Sequence, residues 1–236
     1  MPPGPRAEPE EVRALLAFAE GCARFEARLD RISLALLGRP YVVSPLLGAP
    51  EEPERMVTRL DAFDCVTWAE AVWALAGSRD PVGFERRLTA LRYAHGRVDW
   101  HARNHYMHAW IAHNESAGLL APILPALWED TGEQRVLTAL AGHPPVPWRV
   151  RALPVARLPA LVAVARPGDL VAFVSRRPDL DAFHVGLLAP GPVLGLRHAA
   201  RSRGGSVEEP LEAFLEHNDV PGLLVARPLP PTEILT

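Results

Sequence analysis

The chain has 236 residues, of which 48% are apolar and 22% charged, a composition typical of a globular protein. Its net charge of −3 gives no electrostatic basis for binding nucleic acid or an anionic membrane surface. No apolar run is long enough to span a membrane, and the start of the chain carries no secretory signal pattern. We therefore expect a cytoplasmic protein, or a periplasmic or extracellular one if the true N-terminus is missing.

The first half of the chain is predicted to be helical. Apolar residues at helical spacing predict one helix from about residue 11 to Gly38, after a Pro-rich start. Residues 39–54 are dense in Pro and Gly and are predicted to form a loop. The stretch DAFDCVTWAEAVWALA predicts a helix that begins after an N-cap at Asp64. Further helices are expected at 81–96 and after the segment RNHY.

The second half of the chain is predicted to contain strands. Residues 143–161 hold several prolines and predict an extended connection. After Pro167 the runs DLVAFVS, HVGLLA and VLGLRHA are short and separated by turn residues, which predicts antiparallel strands. The segment EEPLEAFLEHN predicts a short helix, and GLLVARPL predicts a last strand. Because the helices come first and the strands later, we expect an α+β fold.

Cys65 stands between an aspartate and the start of a predicted helix, and two hypotheses compete for it. It is either a small buried hydrophobe or a thiolate whose pKa is lowered by the helix N-terminus. Thiol catalysis also needs an imidazole to accept the proton and a polar group to orient it. His184 opens one predicted strand and His198 ends the next, so neighbouring strands would bring both imidazoles together. The other cysteine, Cys22, is predicted to pack in the N-terminal helix.

Several segments resemble a known family of bacterial enzymes. GRPY followed by FDC, and HVGLL followed by RHA, resemble the papain-like NlpC superfamily of cell-wall peptidases. Residues 30–228 resemble one branch, the N-acetylmuramoyl-L-alanine amidases, formerly known only as a domain of unknown function. The matching segments occur in the same order in the chain: FDCVTWAEAVWALA, LRYAHGRV, ARNHY, GDLVAFV, HVGLL, LRHA and PGLLVARP.

The resemblance implies a fold, a substrate and a set of site residues. The fold is a papain-like core, in which the cysteine-bearing helix packs on an antiparallel sheet, with an added N-terminal helical part. One amidase domain would span residues 30–228, between an N-terminal extension at 1–29 and a tail at 229–236. The implied partners are peptidoglycan muropeptides. The implied roles are catalysis by Cys65, His184 and His198, oxyanion binding by Tyr41, and substrate binding by Asp64, Arg103, Asn104 and His105. Because stem peptides carry carboxylates, the guanidinium of Arg103 or Arg197 is expected either to bind one of them through two hydrogen bonds or to be a solvated surface charge.

Other interpretations of the same residues remain open. His101 and His105 have a spacing that could bind zinc on a helix, but HARNH lacks the glutamate of zinc peptidases, so no metal or other cofactor is expected. A non-catalytic cell-wall-binding module could keep the fold, although all three catalytic residues are present. Within the same superfamily, the alternative activity is a γ-D-glutamyl-diamino acid endopeptidase. Trp68 and Trp73 are predicted to lie in the core rather than to stack on a sugar.

Overall fold

The N-terminal part contains two helices rather than the single one predicted. The computed structural model describes residues 4–231, with helices α1 (Pro9–Phe18) and α2 (Phe25–Ala35). The turn that follows α1 includes Gly21, whose φ of +78° lies in the region that favours glycine. The prediction for Cys22 is therefore wrong in its location, because this residue lies in the connection and is partly exposed. The predicted loop at 39–54 contains a short hairpin, β1 (Leu47–Ala49) and β2 (Glu52–Arg55).

The cysteine-bearing helix is the centre of the molecule. Helix α3 (Cys65–Ala76) has the predicted start, and every residue from Thr67 to Ala76 is buried. It packs against α2, α4 (Pro81–Arg92) and the main sheet, which explains why it is buried on all sides. Both tryptophans of α3 are buried, which confirms their predicted place in the core. Helix α5 (Met107–Ser116) follows the RNHY segment, also as predicted.

A six-stranded antiparallel sheet forms the second layer, in the order β3–β10–β6–β7–β8–β9. The bounds are β3 (Leu120–Pro122), β6 (Leu170–Val174), β7 (Ala182–Ala189), β8 (Gly195–Ala200), β9 (Gly205–Pro210) and β10 (Leu223–Pro228). The predicted strands β6, β7, β8 and β10 are confirmed. Strand β9 was not predicted, because its last residues, EEP, were assigned to the following helix, which begins only at α7 (Leu211–Glu216).

The remaining elements lie between β3 and β6 in the sequence. Residues 143–161, predicted to be extended throughout, contain a strand and the start of a helix. A second hairpin is formed by β4 (Glu129–Leu137) and β5 (Val146–Ala152), and α6 (Leu158–Val164) follows it. From residue 232 onward the predicted C-terminal tail lies outside the described residues. In the part of the chain that the structure describes, no helix has the length and apolarity to cross a membrane.

The sheet has two buried faces with different partners. One face, which includes Ala172, Val185 and Ala199, belongs to the large core around α1, α2 and α3. The other face, which includes Phe173 and Leu196, packs against α6 and α7 in a smaller core. Side chains alternate between the two faces along each strand, so neighbouring residues of β8 meet entirely different surroundings. The architecture is a mixed α+β fold with an antiparallel sheet.

Candidate active site

A capping box fixes Cys65 at the first position of α3. The Asp64 carboxylate accepts a hydrogen bond from the backbone N–H of Thr67 at 2.8 Å, and the Thr67 hydroxyl accepts one from the backbone N–H of Asp64 at 3.1 Å. At a helix start the first backbone N–H groups have no intrahelical partner, so they remain available to a bound oxygen. Asp64, predicted to bind substrate, uses one carboxylate oxygen in this cap.

The thiol of Cys65 is neutral in the resting protein. Burial raises its pKa to about 12, and the charge of Asp64 acts in the same direction. The backbone N–H groups of Val185 and Val66 favour the thiolate but do not compensate for burial. The hypothesis of a thiolate stabilised by the helix N-terminus is therefore wrong for the resting state. The influence of Val185 also places the sulfur beside β7, directly after His184.

The two predicted histidines are in contact. Strands β7 and β8 are neighbours, and they place Nε2 of His184 2.6 Å from Nδ1 of His198. Both rings pack against Phe214 of α7. Burial lowers the pKa of His184 to about 3, and the charge of His198 contributes in the same direction. Between residues 4 and 231, no hydrogen bond joins the Cys65 sulfur to either imidazole, and the thiol and the His184 base are both neutral at rest.

Glu209 extends the histidine pair into a chain of three side chains. Its Oε1 lies 2.9 Å from Nε2 of His198, and its Oε2 accepts a hydrogen bond from Arg203 at 2.9 Å. A carboxylate only accepts, so Nε2 of His198 carries the proton and Nδ1 of the same ring is the acceptor. For Nδ1 of His198 to accept a hydrogen bond, Nε2 of His184 must carry the proton. Nδ1 of His184 is then left unprotonated and able to act as a base.

Sequence reasoning missed Glu209 because it assigned the segment EEP to a helix. The useful signal was the pair Gly204–Gly205, which follows the strand of His198 after three intervening residues and precedes SVEE. A turn of this kind lets the next residues pair with that strand, and His198 pairs with Val207 in the resulting ladder.

Backbone contacts hold Tyr41 next to the start of α3. Val42 N–H donates to the carbonyl of Phe63 at 2.8 Å, and Phe63 N–H donates to the carbonyl of Pro40 at 3.0 Å. Tyr41 N–H donates to the carbonyl of Gly204 at 2.9 Å. These bonds fix Tyr41 between the residues that precede Cys65 and the turn that follows β8. The role of the Tyr41 hydroxyl in oxyanion binding stays a prediction.

Arg197, predicted to bind substrate, lies on the wrong face of β8. It is next to His198 in sequence, so its side chain points to the α2 side of the sheet. There it bonds Asp30 at 2.7 Å and Glu208 at 2.6 Å, and only 9% of its side chain is exposed. The prediction is corrected on this point, because the guanidinium is used to join α2 to the sheet.

The RNHY segment is also engaged within the protein. Arg103 bonds Glu54 at 2.9 Å, and the side chain of Glu54 is completely buried. Asn104 donates to the carbonyl of Leu91 at 3.3 Å. These contacts stabilise the helical half of the molecule. Because the guanidinium of Arg103 is bonded to Glu54, it is not available to bind a carboxylate of the substrate.

The histidines that suggested zinc are held by contacts with the protein. Nε2 of His105 lies 2.8 Å from the carbonyl oxygen of Trp100, and burial lowers the pKa of His105 to about 4. His101 lies in a short 3-10 helix rather than on an α-helix shared with His105. Within residues 4–231, no group of three or more His, Cys, Asp or Glu side chains is arranged to hold a metal ion.

Comparisons with known proteins identify the family of the chain. No curated protein matches the chain. A crystal structure of an N-acetylmuramoyl-L-alanine amidase from Bacteroides uniformis is 26% identical, with a TM-score of 0.76 over 86% of this chain and 98% of that one. A Legionella pneumophila protein shares the fold at 19% identity, with a TM-score of 0.78 over 94% of each chain. The family model AmiA-like, described as N-acetylmuramoyl-L-alanine amidase-like, matches residues 31–223. The chain therefore belongs to this family of N-acetylmuramoyl-L-alanine amidase-like proteins, which makes it an amidase-like enzyme.

Proposed function

We propose that the protein is a cysteine-dependent amidase that cleaves the bond between N-acetylmuramic acid and L-alanine in peptidoglycan fragments. The observation that carries this proposal is the hydrogen-bonded chain His184–His198–Glu209, which begins at the residue before Val185, whose backbone N–H acts on the Cys65 sulfur. Membership of the amidase-like family supports the substrate class. We propose further that the core is papain-like and of the NlpC type, since the cysteine-bearing helix packs on the antiparallel sheet that carries both histidines.

The first half of the proposed reaction forms a thioester. The Cys65 sulfur attacks the lactyl carbonyl carbon while Nδ1 of His184 accepts the thiol proton. The carbonyl oxygen becomes an oxyanion, held by the backbone N–H of Cys65 and the hydroxyl of Tyr41, an arrangement worth about 3 kcal/mol. The carbon–nitrogen bond then breaks, and His184 gives its proton to the L-alanine nitrogen of the departing peptide.

The second half releases the sugar product. A water molecule attacks the thioester carbonyl while Nδ1 of His184 accepts its proton, and the bond to sulfur breaks. The proton returns to Cys65, so the thiol and the neutral imidazole are restored. In both halves His184 becomes positively charged, and the His198–Glu209 pair stabilises that charge. Because both groups are neutral at rest, the proton moves during the attack and not before it.

Defined muropeptides and mass spectrometry of the products test this proposal. Wild type should release intact peptides that begin with L-alanine. Cys65→Ala should abolish hydrolysis while the protein stays folded, and Cys22→Ala, the matched control, should leave it unchanged. Activity in Cys65→Ala would contradict the thiol mechanism.

Two further outcomes of the same experiment would contradict the proposed cleavage. L-alanyl-D-glutamate as the main product would identify the endopeptidase. Binding of muropeptides by wild type without any product would identify a non-catalytic wall-binding module.

A further inference from the structure

An open cavity adjoins the histidine pair on the α7 side of the sheet. Its volume is about 820 Å³, and His184, His198 and Glu209 form part of its wall. Phe183 forms an apolar section of the wall and is stacked on Phe214, with 39% of the residue exposed. A β-bulge is responsible for this exposure, because the pairing of β6 with β7 skips Phe183.

The cavity contains one cation that the protein does not neutralise. Arg203 is paired with Glu209, and His217 is bonded through Nδ1 to the carbonyl of Ala213 at 2.6 Å. Arg201 is exposed, and none of the acidic side chains in residues 4–231 lies within ion-pair distance of it. The positive charges of Arg201 and Arg203 therefore exceed the single negative charge of Glu209.

Arg201 is also close to the groups that would carry out the reaction. It begins the turn after β8, three residues beyond His198, and the same turn accepts the hydrogen bond from Tyr41 through Gly204. Burial raises the pKa of the Tyr41 phenol, the thiolate form of Cys65 raises it further, and the charge of Arg201 lowers it. Tyr41 thus lies within electrostatic reach of both Cys65 and Arg201.

We propose that Arg201 binds a carboxylate of the stem peptide, namely the free α-carboxylate of D-glutamate. This inference rests on the proposed amidase function and names the feature of the substrate that the cavity recognises. A guanidinium binds a carboxylate through two parallel hydrogen bonds, which suits an exposed arginine with no acidic partner. The D-glutamate is the second residue after the scissile amide, so its α-carbon lies within about 7 Å of that bond. Arg201 takes the role that the sequence had assigned to Arg103 and Arg197.

A pair of substrates that differ only at this carboxylate tests the inference. One is an N-acetylmuramoyl tripeptide with D-glutamate, and the other has D-isoglutamine, whose α-carboxamide is uncharged. Wild type should have a kcat/KM about 30-fold higher for the carboxylate, mainly through KM. Arg201→Gln should lose this preference, and Arg201→Lys should keep part of it. The control Arg13→Gln, an exposed arginine on α1, should behave as wild type.

Calorimetric binding of the same two ligands to Cys65→Ala separates this inference from the proposed function. The carboxylate ligand should bind more tightly, and adding Arg201→Gln should remove the difference. If binding or kcat/KM shows the same preference with and without Arg201, the inference is overturned, while hydrolysis by wild type would still support the amidase. If wild type hydrolyses neither substrate, the proposed function fails, and the binding measurement alone decides the role of Arg201.

Discussion

Strands β8 and β9 carry two polar pairs that lie side by side but on opposite faces of the sheet. On the α2 side, Arg197 bonds Glu208 at 2.6 Å. On the α7 side, His198 bonds Glu209 at 2.9 Å. Each residue of one pair is the sequence neighbour of a residue of the other, so the two pairs share the same backbone and differ only in what they face.

The two pairs differ in whether further protein groups occupy their polar atoms. Arg197 also bonds Asp30 and the hydroxyl of Ser33, both at 2.7 Å, so the guanidinium joins α2 to the sheet. The chain from Glu209 through His198 instead ends on His184, whose Nδ1 bonds no other group among residues 4–231 and lies at the proposed active site. A pair whose partners are all used stabilises the fold, whereas a pair that leaves one atom free can move a proton. Three predictions test this difference.

The largest expected effect comes from truncating each pair. His198→Ala should lower kcat about 100-fold, because His184 loses the group that fixes its tautomer, and should change the stability little. Arg197→Ala should have the reverse effect, with a loss of about 2 kcal/mol in the free energy of unfolding and near-normal kcat at low temperature. Steady-state kinetics and urea unfolding of both variants measure this. Similar losses of activity in the two variants would contradict the separation into a structural and a catalytic face.

A smaller effect is expected from the two neighbouring glutamates. Burial lowers the pKa of His198, and the charge of Glu209 opposes that shift. Glu209→Gln keeps an acceptor for His198 but loses the charge, so kcat should fall about 10-fold. The acid limb of the pH–rate profile should move to lower pH, which a purely structural role would not cause. Glu208→Gln is the matched control and should leave the profile in place. An unshifted profile in Glu209→Gln would remove Glu209 from the proposed chain.

The smallest effect concerns stability as a function of pH. His184 has a pKa of about 3 in the folded protein against an ordinary value of 6.5. Between these values the unfolded chain binds a proton that the folded chain does not. This contribution to stability is complete above pH 6.5 and is lost as the pH falls, by about 1.4 kcal/mol per pH unit. The free energy of unfolding, measured with urea, should therefore fall less between pH 7.5 and pH 5 in His184→Gln than in wild type. Arg197→Ala should keep the wild-type slope, and an equal slope in His184→Gln would contradict the burial of a neutral imidazole.

Local sequence patterns were sufficient to predict the helix and the two strands that carry the predicted catalytic residues. Helix α3 begins at Cys65 because Asp64 and Thr67 form a cap within four residues of sequence. The strands of His184 and His198 follow from alternation and turn residues, and their adjacency follows from the short connection between them. These features depend on interactions between near neighbours in the chain, so the sequence contains them directly.

The roles of Arg197, Arg103 and Glu209 could not be predicted, because they depend on contacts between residues that are not neighbours in the sequence. Arg197 and Arg103 were predicted to bind substrate from their residue type, but Asp30 and Glu54, distant in sequence, occupy them in the fold. Glu209 was missed because the last residues of β9 resemble the start of the helix that follows. Only pairing with β8 determines that they form a strand.

The sequence by itself determined the α+β class, the capped start of α3 at Cys65 and the pair of histidine strands, because caps, periodicity and turns are local. The tertiary structure decided which charged groups are free and which are used. It also decided the protonation states, since burial raises the pKa of Cys65 and lowers that of His184, against what the helix N-terminus alone predicts for the thiol. The physical reason is that desolvation and ion pairing depend on everything packed around a group, and most of those neighbours come from distant parts of the chain.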